Sequence, residues 1–394
     1  MRAPLAVAIA VAAAVIGGAV ALLLGNAAGL GDETTVYVPV TTAPATSSAN
    51  GATGRPLPGN GFDPAALYAR RSPGVVTLYA NLGVEGQSQG SGFVVDRRGT
   101  ILTNAHVITN VATSSNVRGA SAVYVEFKDG DRVPARIVGW DLFNDIGVVR
   151  VDPKAHALAP VPLGDSDAVV VGMPVAAIGS PFGEQNSLAV GVVSATGRSI
   201  DSLTSGYAVS DAIQIDAPIN RGNSGGPLFD ARGRVIGINA QIRSTSGTAE
   251  GVGFAIPVNV ARRALDQLER TGRVVYAYIG ITTHDVTPGL ARKFGLGAQR
   301  GALIADIEPG TPAEAAGLRA GTQVESYNGL SVTLGGDQIV AIGGTPVRSA
   351  DDVSRIVTDE LLPGQRVPFT VLRDGDRRIT VRVTLGNRPP RPGS

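Results

Sequence analysis

The sequence is dominated by short apolar runs separated by turn residues, and this pattern constrains the fold more than any other feature. Val-rich runs recur between Val75 and Ile256, and turns such as KDGD, which separates Val123–Phe127 from Arg132–Val138, join them in pairs. No stretch of useful length in this region places apolar residues at helical spacing. Paired strands without intervening helices argue against alternating strand–helix units. We therefore predict an all-β double barrel, with a site between the two barrels.

A different pattern follows the barrel region. The spacing of apolar residues predicts a helix from Val258 to Arg270 with Asn259 as its cap. From Tyr278 to Gly386 the sequence mixes strands with capped helices, of which the longer covers Ser349–Leu361. A chain of 394 residues also exceeds what one hydrophobic core usually fills. We predict a mainly β protein in which a connector helix joins the double barrel to a smaller α+β domain.

The N-terminus carries a long uncharged segment. The residues from Ala3 to Gly25 are mostly Ala, Val, Ile and Leu, and such a run can span a bilayer. Arg2 lies on its short side and the next basic residue is Arg55, so we expect the bulk of the chain on the extracytoplasmic side of a cell membrane. We predict a single-pass transmembrane anchor over residues 1–25. The alternative is a cleaved signal peptide and a secreted or periplasmic protein.

Residues 26–61 are rich in Thr, Ser, Pro and Gly and poor in large apolar side chains, which predicts a flexible linker. Order should begin near Phe62, where Asp63 can cap a short helix with Pro64 at its first position. The anchor would therefore carry the folded part of the chain on a tether.

Composition excludes several classes of function. The chain has no cysteine, which removes disulfides, thiolate nucleophiles and Cys-ligated metal sites. Its 34 Lys and Arg nearly balance 33 Asp and Glu, and no long run of like charge occurs, so the sequence offers no surface typical of nucleic-acid binding. We expect no nucleic-acid partner, no metal and no organic cofactor.

The string INRGNSGGPLFD places Ser224 in a glycine-rich turn. Hydrolysis of a peptide needs a nucleophile, a base that takes its proton, an acid that orients the base, and donors for the oxyanion. A glycine-rich turn can aim several amides into one small space. We therefore assign the oxyanion hole to the backbone of Gly222, Asn223 and Ser224, with the N–H groups of Gly222 and Ser224 as the main donors.

The base and the acid can be assigned from their position in the sequence. Only three histidines exist, and of these only His106, in TNAHV, follows an apolar strand; His156 lies in a turn-like stretch and His284 in the C-terminal domain. Asp145, in NDIGVVRV, opens a Val-rich strand between His106 and Ser224. The order His, Asp, Ser is that of the chymotrypsin-like proteases. We predict a catalytic triad of His106, Asp145 and Ser224.

A second pattern overlaps the same serine. Gly222, Ser224 and Gly226 also fit GxSxG, the nucleophile elbow of the α/β-hydrolases. That fold needs a helix directly after the serine and the order Ser, acid, His. Here a hairpin sequence follows the serine and the suitable histidine lies upstream, so the chymotrypsin-like assignment fits the sequence better.

Several motifs in order resemble the HtrA/DegP-like serine proteases, bacterial extracytoplasmic enzymes that combine a trypsin-like barrel pair with PDZ domains. The motifs are TNAHV, NDIGVVRV, LGDSD, IGSPFG, GNSGGPL and GVGFAIPV. The resemblance implies a chymotrypsin-like protease domain over residues 62–272, a single PDZ domain over 273–388 and a disordered tail over 389–394. It also implies homotrimers and, as substrates, unfolded or mislocalised envelope proteins.

The segment YIGI resembles the carboxylate-binding loop of PDZ domains. The resemblance implies that Tyr278, Ile279, Gly280 and Ile281 capture the C-terminus of a peptide, which adds as a strand beside them. Residues 322–334 lengthen the usual path through such a domain. The alternative is a domain that only supports packing of the trimer.

Three positions bear on regulation and specificity. Arg221 stands where the family commonly has Pro before GNSGG, which bears on the conformation of the serine loop. Pro218 stands where trypsin has the carboxylate of its specificity pocket. Because that carboxylate is replaced, we expect no preference for Arg or Lys at the cleavage site. The stretch Arg198–Asp211 resembles the loop that, in relatives, relays PDZ occupancy to the oxyanion hole. We assign Arg198 to that regulatory loop.

Two functions are compatible with these features. The first is an anchored quality-control endopeptidase whose PDZ domain binds peptide C-termini and regulates activity. The second is a chaperone or scaffold whose protease domain rests in an inactive loop conformation. Arg221, which replaces the usual Pro before GNSGG, leaves this alternative open.

Overall fold

The computed structural model describes residues 62–389 apart from 115, 181–185, 203, 206, 221 and 241–251. The predicted anchor over 1–25, the predicted linker over 26–61, Arg221 and all but the first residue of the predicted tail lie outside the described residues. Within the part of the chain that is described, no helix is both long and apolar enough to cross a membrane.

The first barrel follows a short N-terminal helix, α1 (Pro64–Arg71). Asp63 Oδ1 accepts a 2.9 Å hydrogen bond from Ala66 N–H, and Pro64 occupies the first helical turn, so this cap prediction is confirmed. Six strands close into a barrel in the order β1-β2-β3-β6-β5-β4. The elements of this barrel are β1 (Val75–Asn81), β2 (Gln87–Val94), β3 (Thr100–Thr103), α2 (Ala105–Ile108), β4 (Ala122–Glu126), β5 (Arg132–Asp141) and β6 (Ile146–Val151).

The second barrel closes in the order β10-β11-β12-β9-β8-β7. Its strands are β7 (Pro174–Gly179), β8 (Ser187–Asp201), β9 (Ala208–Ile215), β10 (Pro227–Asp230), β11 (Val235–Ala240) and β12 (Gly253–Pro257). Side chains from both barrels, including Phe93, Ile146, Ile178 and Phe229, share one buried core. This shared core fixes the two barrels against each other and brings the ends of their strands to a common region.

The connector is helix α3 (Val258–Thr271), which ends at Gly272 in the left-handed conformation. The prediction that Asn259 caps this helix is wrong. Pro257 precedes the first helical residue, and Asn259 lies inside the helix, where its Nδ2 donates a 2.8 Å hydrogen bond to Asp165 Oδ1. A tertiary contact with the segment between β6 and β7 therefore uses the side chain that local spacing assigns to the cap.

The C-terminal domain is built on a sheet in which β14, β15, β18, β20 and β21 are neighbours in that order, with β19 beside β18. Two further pairs join β13 to β22 and β16 to β17. The strands are β13 (Ala277–Tyr278), β14 (Ile281–Val286), β15 (Gly301–Ile307), β16 (Gln323–Tyr327), β17 (Leu330–Leu334), β18 (Gln338–Ile342), β19 (Thr345–Pro346), β20 (Arg366–Arg373), β21 (Arg377–Thr384) and β22 (Gly386–Asn387). The insertion over 322–334 therefore folds as the hairpin of β16 and β17.

The helices of this domain are α4 (Pro288–Phe294), α5 (Pro312–Ala316) and α6 (Ala350–Arg355). Ser349 caps α6, since its Oγ accepts a 3.1 Å hydrogen bond from Asp352 N–H. The predicted helix over Ser349–Leu361 continues beyond α6 only as a π-helical turn, Ile356–Glu360. The predicted fold class, a double β-barrel followed by a smaller α+β domain, is confirmed.

Candidate active site

His106 and Asp145 form a directly bonded pair. Helix α2 begins at the end of β3 and carries His106, whose Nδ1 lies 2.6 Å from Asp145 Oδ2. The backbone N–H of His106 donates a 2.9 Å hydrogen bond to the other carboxylate oxygen, Oδ1. Because both oxygens bond to one residue, the carboxylate cannot rotate without losing a bond, and the imidazole is held with Nδ1 facing Asp145.

Asp145 is the last residue of the loop that joins β5 to β6. Its φ of 52° lies in the left-handed region, which Asp tolerates better than most residues. Its carbonyl accepts hydrogen bonds from Asn104 Nδ2 at 2.8 Å and from Ala105 N–H at 3.2 Å. The residues just before His106 thus hold the backbone of Asp145, while His106 itself binds the side chain.

The environment of His106 favours its protonated form. Burial alone would lower the pKa of His106, but the charge of the Asp145 carboxylate and its hydrogen bond outweigh burial and raise the pKa above its ordinary value. The side chain of His106 remains 19% exposed and that of Asp145 only 7%, so a substrate can reach the pair from the histidine side. Such a histidine is suited to accept a proton during a reaction.

Ser224 lies in a loop that packs against the first barrel. Its carbonyl accepts a 2.8 Å hydrogen bond from Ser91 N–H on β2. Gly225 has a φ of +84°, and a Cβ there would lie 2.4 Å from Thr103 Oγ1 and 3.0 Å from Asn104 N. Only glycine permits this approach. The serine loop therefore meets the first barrel where β3 leads into the helix that carries His106.

The Ser224 hydroxyl is buried and has no hydrogen-bond partner among the described residues. The structure thus brings His106 and Asp145 into contact but does not show a hydrogen bond between Ser224 Oγ and His106. Catalytic hydrogen bonds of ligand-free enzymes are often long and tighten only with substrate. Ser224 Oγ can therefore bond to His106 or to a substrate without first breaking another hydrogen bond.

The proposed oxyanion amides differ in what they bond to. Asn223 N–H donates a 3.0 Å hydrogen bond to Asn220 carbonyl within the same loop. The amide of Asn223 is therefore not available to an oxyanion in this structure, because the loop needs it to close its own turn. In the described part of the chain, no group accepts a hydrogen bond from the N–H of Gly222 or Ser224. These two amides stay candidate donors.

Sequence reasoning missed Ser91. Its Oγ donates a 2.5 Å hydrogen bond to the Gly222 carbonyl and accepts one of 2.9 Å from Ser180 N–H. Ser91 is fully buried. The local sequence QGSGF gives little reason to place it at the serine loop, since the two residues are 131 positions apart. Ser91 connects the loop to β2 and holds the orientation of the Gly222 carbonyl.

Arg198 lies on β8 and forms no ion pair with any described residue. Its Nε donates a 3.1 Å hydrogen bond to Gln214 Oε1 on the neighbouring strand β9. This contact spans the two strands that lead into and out of the loop predicted to be regulatory. The regulatory role of Arg198 stays a prediction.

The four residues predicted to bind a peptide C-terminus form the turn between β13 and β14. Gly280 has a φ of +74°, and a Cβ there would lie 2.3 Å from Thr311 Cγ2, so the turn requires glycine. Tyr278 OH donates a hydrogen bond to Glu308, and Ile279 carbonyl accepts one from Ala313 N–H. Among the described strands, β14 has β15 as its one partner, so its other edge is open beside this turn.

Metal binding has no visible basis in the described residues, which contain no group of three or more His, Asp or Glu side chains that could hold an ion.

Comparison with protein families assigns two regions. The family model of the trypsin-like peptidase domain matches residues 90–238 and that of the PDZ domain matches residues 277–385. The first match includes the three candidate triad residues, and the second covers the sheet of the C-terminal domain.

Among curated proteins, the chain is similar to Protease Do-like 1, chloroplastic, of Arabidopsis thaliana, with 41% identity over 77% of this chain and 64% of that protein. It is also similar to a probable periplasmic serine endoprotease DegP-like of Hahella chejuensis, with 39% identity over 82% of this chain and 60% of that protein. The chain thus spans less than two thirds of the length of these relatives. Among solved structures, an HtrA-type protease AlgW with tripeptide is 33% identical, with a TM-score of 0.68 over 84% of this chain and 98% of that chain.

Proposed function

Because this chain belongs to the HtrA/DegP-like family of serine proteases, we propose that it is a serine endopeptidase that cleaves unfolded or mislocalised extracytoplasmic proteins. The observation that carries the proposal is the bonded pair of His106 and Asp145, in which one carboxylate orients the imidazole through two hydrogen bonds. A pair of this kind activates a serine hydroxyl in acyl transfer.

In the proposed reaction, Ser224 Oγ attacks the carbonyl carbon of the scissile bond while His106 Nε2 accepts the hydroxyl proton. The carbonyl oxygen gains the displaced electron pair, and the N–H groups of Gly222 and Ser224 donate hydrogen bonds to it. Asp145 keeps Nδ1–H facing itself and stabilises the imidazolium that forms. His106 then gives its proton to the leaving amine, and a water molecule hydrolyses the acyl-enzyme with the same histidine as base.

We propose that the C-terminal domain binds peptide C-termini and regulates the protease. The open edge of β14 supports this role, because an extended peptide can add there as a strand. The amides of Tyr278, Ile279, Gly280 and Ile281 would bind the terminal carboxylate. Arg198 would take part in passing the presence of that peptide to the serine loop.

The remaining proposals concern organisation. We propose domain boundaries at 62–272 and 273–388 and a homotrimeric assembly, as the family resemblance implies. Relatives named as periplasmic endoproteases support an extracytoplasmic location. The segment 1–25 would deliver the chain there, either as a retained anchor or as a cleaved signal peptide.

The test is cleavage of casein by the purified full chain, beside Ser224→Ala. We expect the parent chain to produce fragments and the variant to produce none. A serine-directed phosphonate should label Ser224 in the parent chain and fail to label the variant. Absence of both cleavage and labelling in the parent chain, with hydrophobic C-terminal peptides added, would contradict the protease proposal and favour a scaffold.

A further inference from the structure

Three buried polar side chains meet next to the loop that carries Asp145. Tyr276 OH donates a 2.5 Å hydrogen bond to Asp141 Oδ2. Asn144 Nδ2 donates to the same carboxylate oxygen at 3.1 Å and to the Tyr276 hydroxyl at 2.7 Å. Asp141 is 1% exposed, Tyr276 4% and Asn144 6%. Water therefore does not compete for these bonds, and each member of the cluster is bonded to the other two.

Burial shifts the pKa values of both ionisable groups in this cluster. Burial raises the pKa of Asp141, while hydrogen bonds from Tyr276, Asn144 and Phe143 oppose that rise. Burial, followed by the charge of Asp141, raises the pKa of Tyr276 well above its ordinary value. The phenol therefore keeps its proton throughout the neutral range and remains a donor to the carboxylate.

The cluster holds the loop of residues 142–145 in one conformation through hydrogen bonds. Strand β5 ends at Asp141 and β6 begins at Ile146, and these two residues pair across the hairpin. Asp141 Oδ1 accepts a 2.8 Å hydrogen bond from Phe143 N–H, so one carboxylate bonds to the loop backbone and to Asn144. Asp145 completes the loop with its left-handed φ. A change in the loop backbone would therefore move the carboxylate of Asp145 relative to His106.

Arg388 and Phe143 hold Tyr276 against this loop. Its carbonyl accepts a 2.9 Å hydrogen bond from Arg388 N–H, and the Arg388 guanidinium lies 5.7 Å from the centre of its ring. The ring of Phe143, inside the loop, packs edge-on against Tyr276 with 5.3 Å between centroids. Cation–π and edge-to-face contacts both restrain a ring in place. The tyrosine thus contacts the loop through its hydroxyl and through its ring.

We propose that Tyr276 and Asp141 are positioning residues for the proposed catalytic pair, because they hold the 142–145 loop in the conformation that places the Asp145 carboxylate on His106. The kinetic part of this inference rests on the proposed protease function. Tyr276 lies between the two matched regions, 90–238 and 277–385, so neither family model includes it. The proposed positioning residue Tyr276 thus lies in the segment that follows the connector helix α3.

The test is Tyr276→Phe in the full chain, which removes only the hydroxyl. Asp145 is the charged group that raises the pKa of His106, so a displaced carboxylate should lower that pKa. The pKa is measured by NMR titration of chain labelled at its three histidines, with His106→Gln to assign the resonance. We also expect kcat to fall about 10- to 100-fold with KM little changed.

Tyr327→Phe is the matched control, because it removes a phenol hydroxyl from a half-buried ring in the β16–β17 hairpin. It should leave both the His106 pKa and kcat at parent values. Asp141→Asn is the second variant: it keeps one acceptor oxygen but places an amide where a carboxylate accepted bonds from two sides. We expect it to shift the His106 pKa in the same direction as Tyr276→Phe.

Parent values for the His106 pKa in both Tyr276→Phe and Asp141→Asn, with only a lower unfolding midpoint, would overturn the inference and leave the cluster a purely structural role. The titration does not depend on turnover. If the parent chain fails to cleave casein, the protease proposal fails, and the histidine titration still decides whether the cluster positions Asp145.

Discussion

Replacement of Ser91 by Ala tests whether β2 holds the serine loop in its working conformation. Ser91 Oγ lies between two backbone groups, donating to the Gly222 carbonyl at 2.5 Å and accepting from Ser180 N–H at 2.9 Å. In Ser91→Ala the buried Ser180 N–H and the partly buried Gly222 carbonyl both lose their partner. The peptide plane that contains the Gly222 carbonyl is then free to turn. The planes on either side of it, which carry the proposed oxyanion donors Gly222 N–H and Ser224 N–H, lose the support of that fixed plane.

The size of the effect follows from these two lost bonds. A buried polar group without a partner costs about 1–3 kcal/mol, and water can replace the bond to the partly buried Gly222 carbonyl, so we expect Ser91→Ala to lower the free energy of unfolding by about 1–3 kcal/mol, mainly through the Ser180 N–H. Loss of one oxyanion donor lowers kcat by about 100- to 1,000-fold. Ser91 acts on the amides only through Gly222, so we expect a smaller decrease in kcat/KM of about 10- to 100-fold.

The assay is the second-order rate of labelling by a serine-directed phosphonate, corrected for the folded fraction, beside kcat/KM for a peptide substrate. Thr77→Val is the matched control. Thr77 Oγ1 donates a 2.7 Å hydrogen bond to Ser180 Oγ in the same buried network but does not contact Gly222. Thr77→Val should therefore lose stability and keep the labelling rate of the parent chain.

Equal labelling rates for Ser91→Ala and Thr77→Val, at the same folded fraction, would refute this reasoning. That result would mean that the serine loop keeps its conformation without the bond to the Gly222 carbonyl. Ser91 would then contribute only to the stability of the barrel.

Three further predictions concern charged groups. Asp145→Asn should lower kcat by about 10,000-fold, and it should move the acid limb of the kcat/KM–pH profile to lower pH because the charge that raises the His106 pKa is gone. Burial raises the pKa of Asp359 from its ordinary value of 3.8 to about 6, so ionisation of this group destabilises the folded state progressively as the pH rises between these two values. Asp359→Asn should therefore raise the free energy of unfolding by about 2–3 kcal/mol at pH 7.5, and urea titrations near pH 4 should show no difference. Asp337→Ala removes a fully buried carboxylate that accepts two hydrogen bonds from the half-buried Arg373, and it should lower the free energy of unfolding of the C-terminal domain by about 1.5–3 kcal/mol, measured by urea denaturation against Asp374→Ala on the exposed surface.

The sequence was sufficient where local chemistry decides the structure. Alternating apolar runs and turns predicted the two barrels, and the Asp63–Pro64 pair predicted the first helix, because strand periodicity and helix capping depend on neighbouring residues. The candidates His106 and Asp145 could be chosen because motif order limits which side chains can meet. Their contact is visible in the structure at 2.6 Å.

Contacts between distant segments could not be predicted in this way. Tyr276 and Asp141 are 135 positions apart, and no periodicity relates a tyrosine after the connector helix to a strand end in the first barrel. Asn259 is a second case: local spacing predicts that it caps a helix, but its side chain bonds to the distant Asp165 instead. The oxyanion amides are a third case, since the turn that contains Asn223 uses one of the three amides internally.

Asp145 combines an unfavourable backbone conformation, which glycine would relieve, with a side chain that the proposed activity requires. A residue with a side chain costs roughly 1–2 kcal/mol in this conformation relative to glycine, which adopts it freely. Glycine at position 145 would therefore relax the loop while removing the carboxylate that bonds to His106. Redesign of this chain for robustness has to keep position 145 fixed and seek its gains elsewhere.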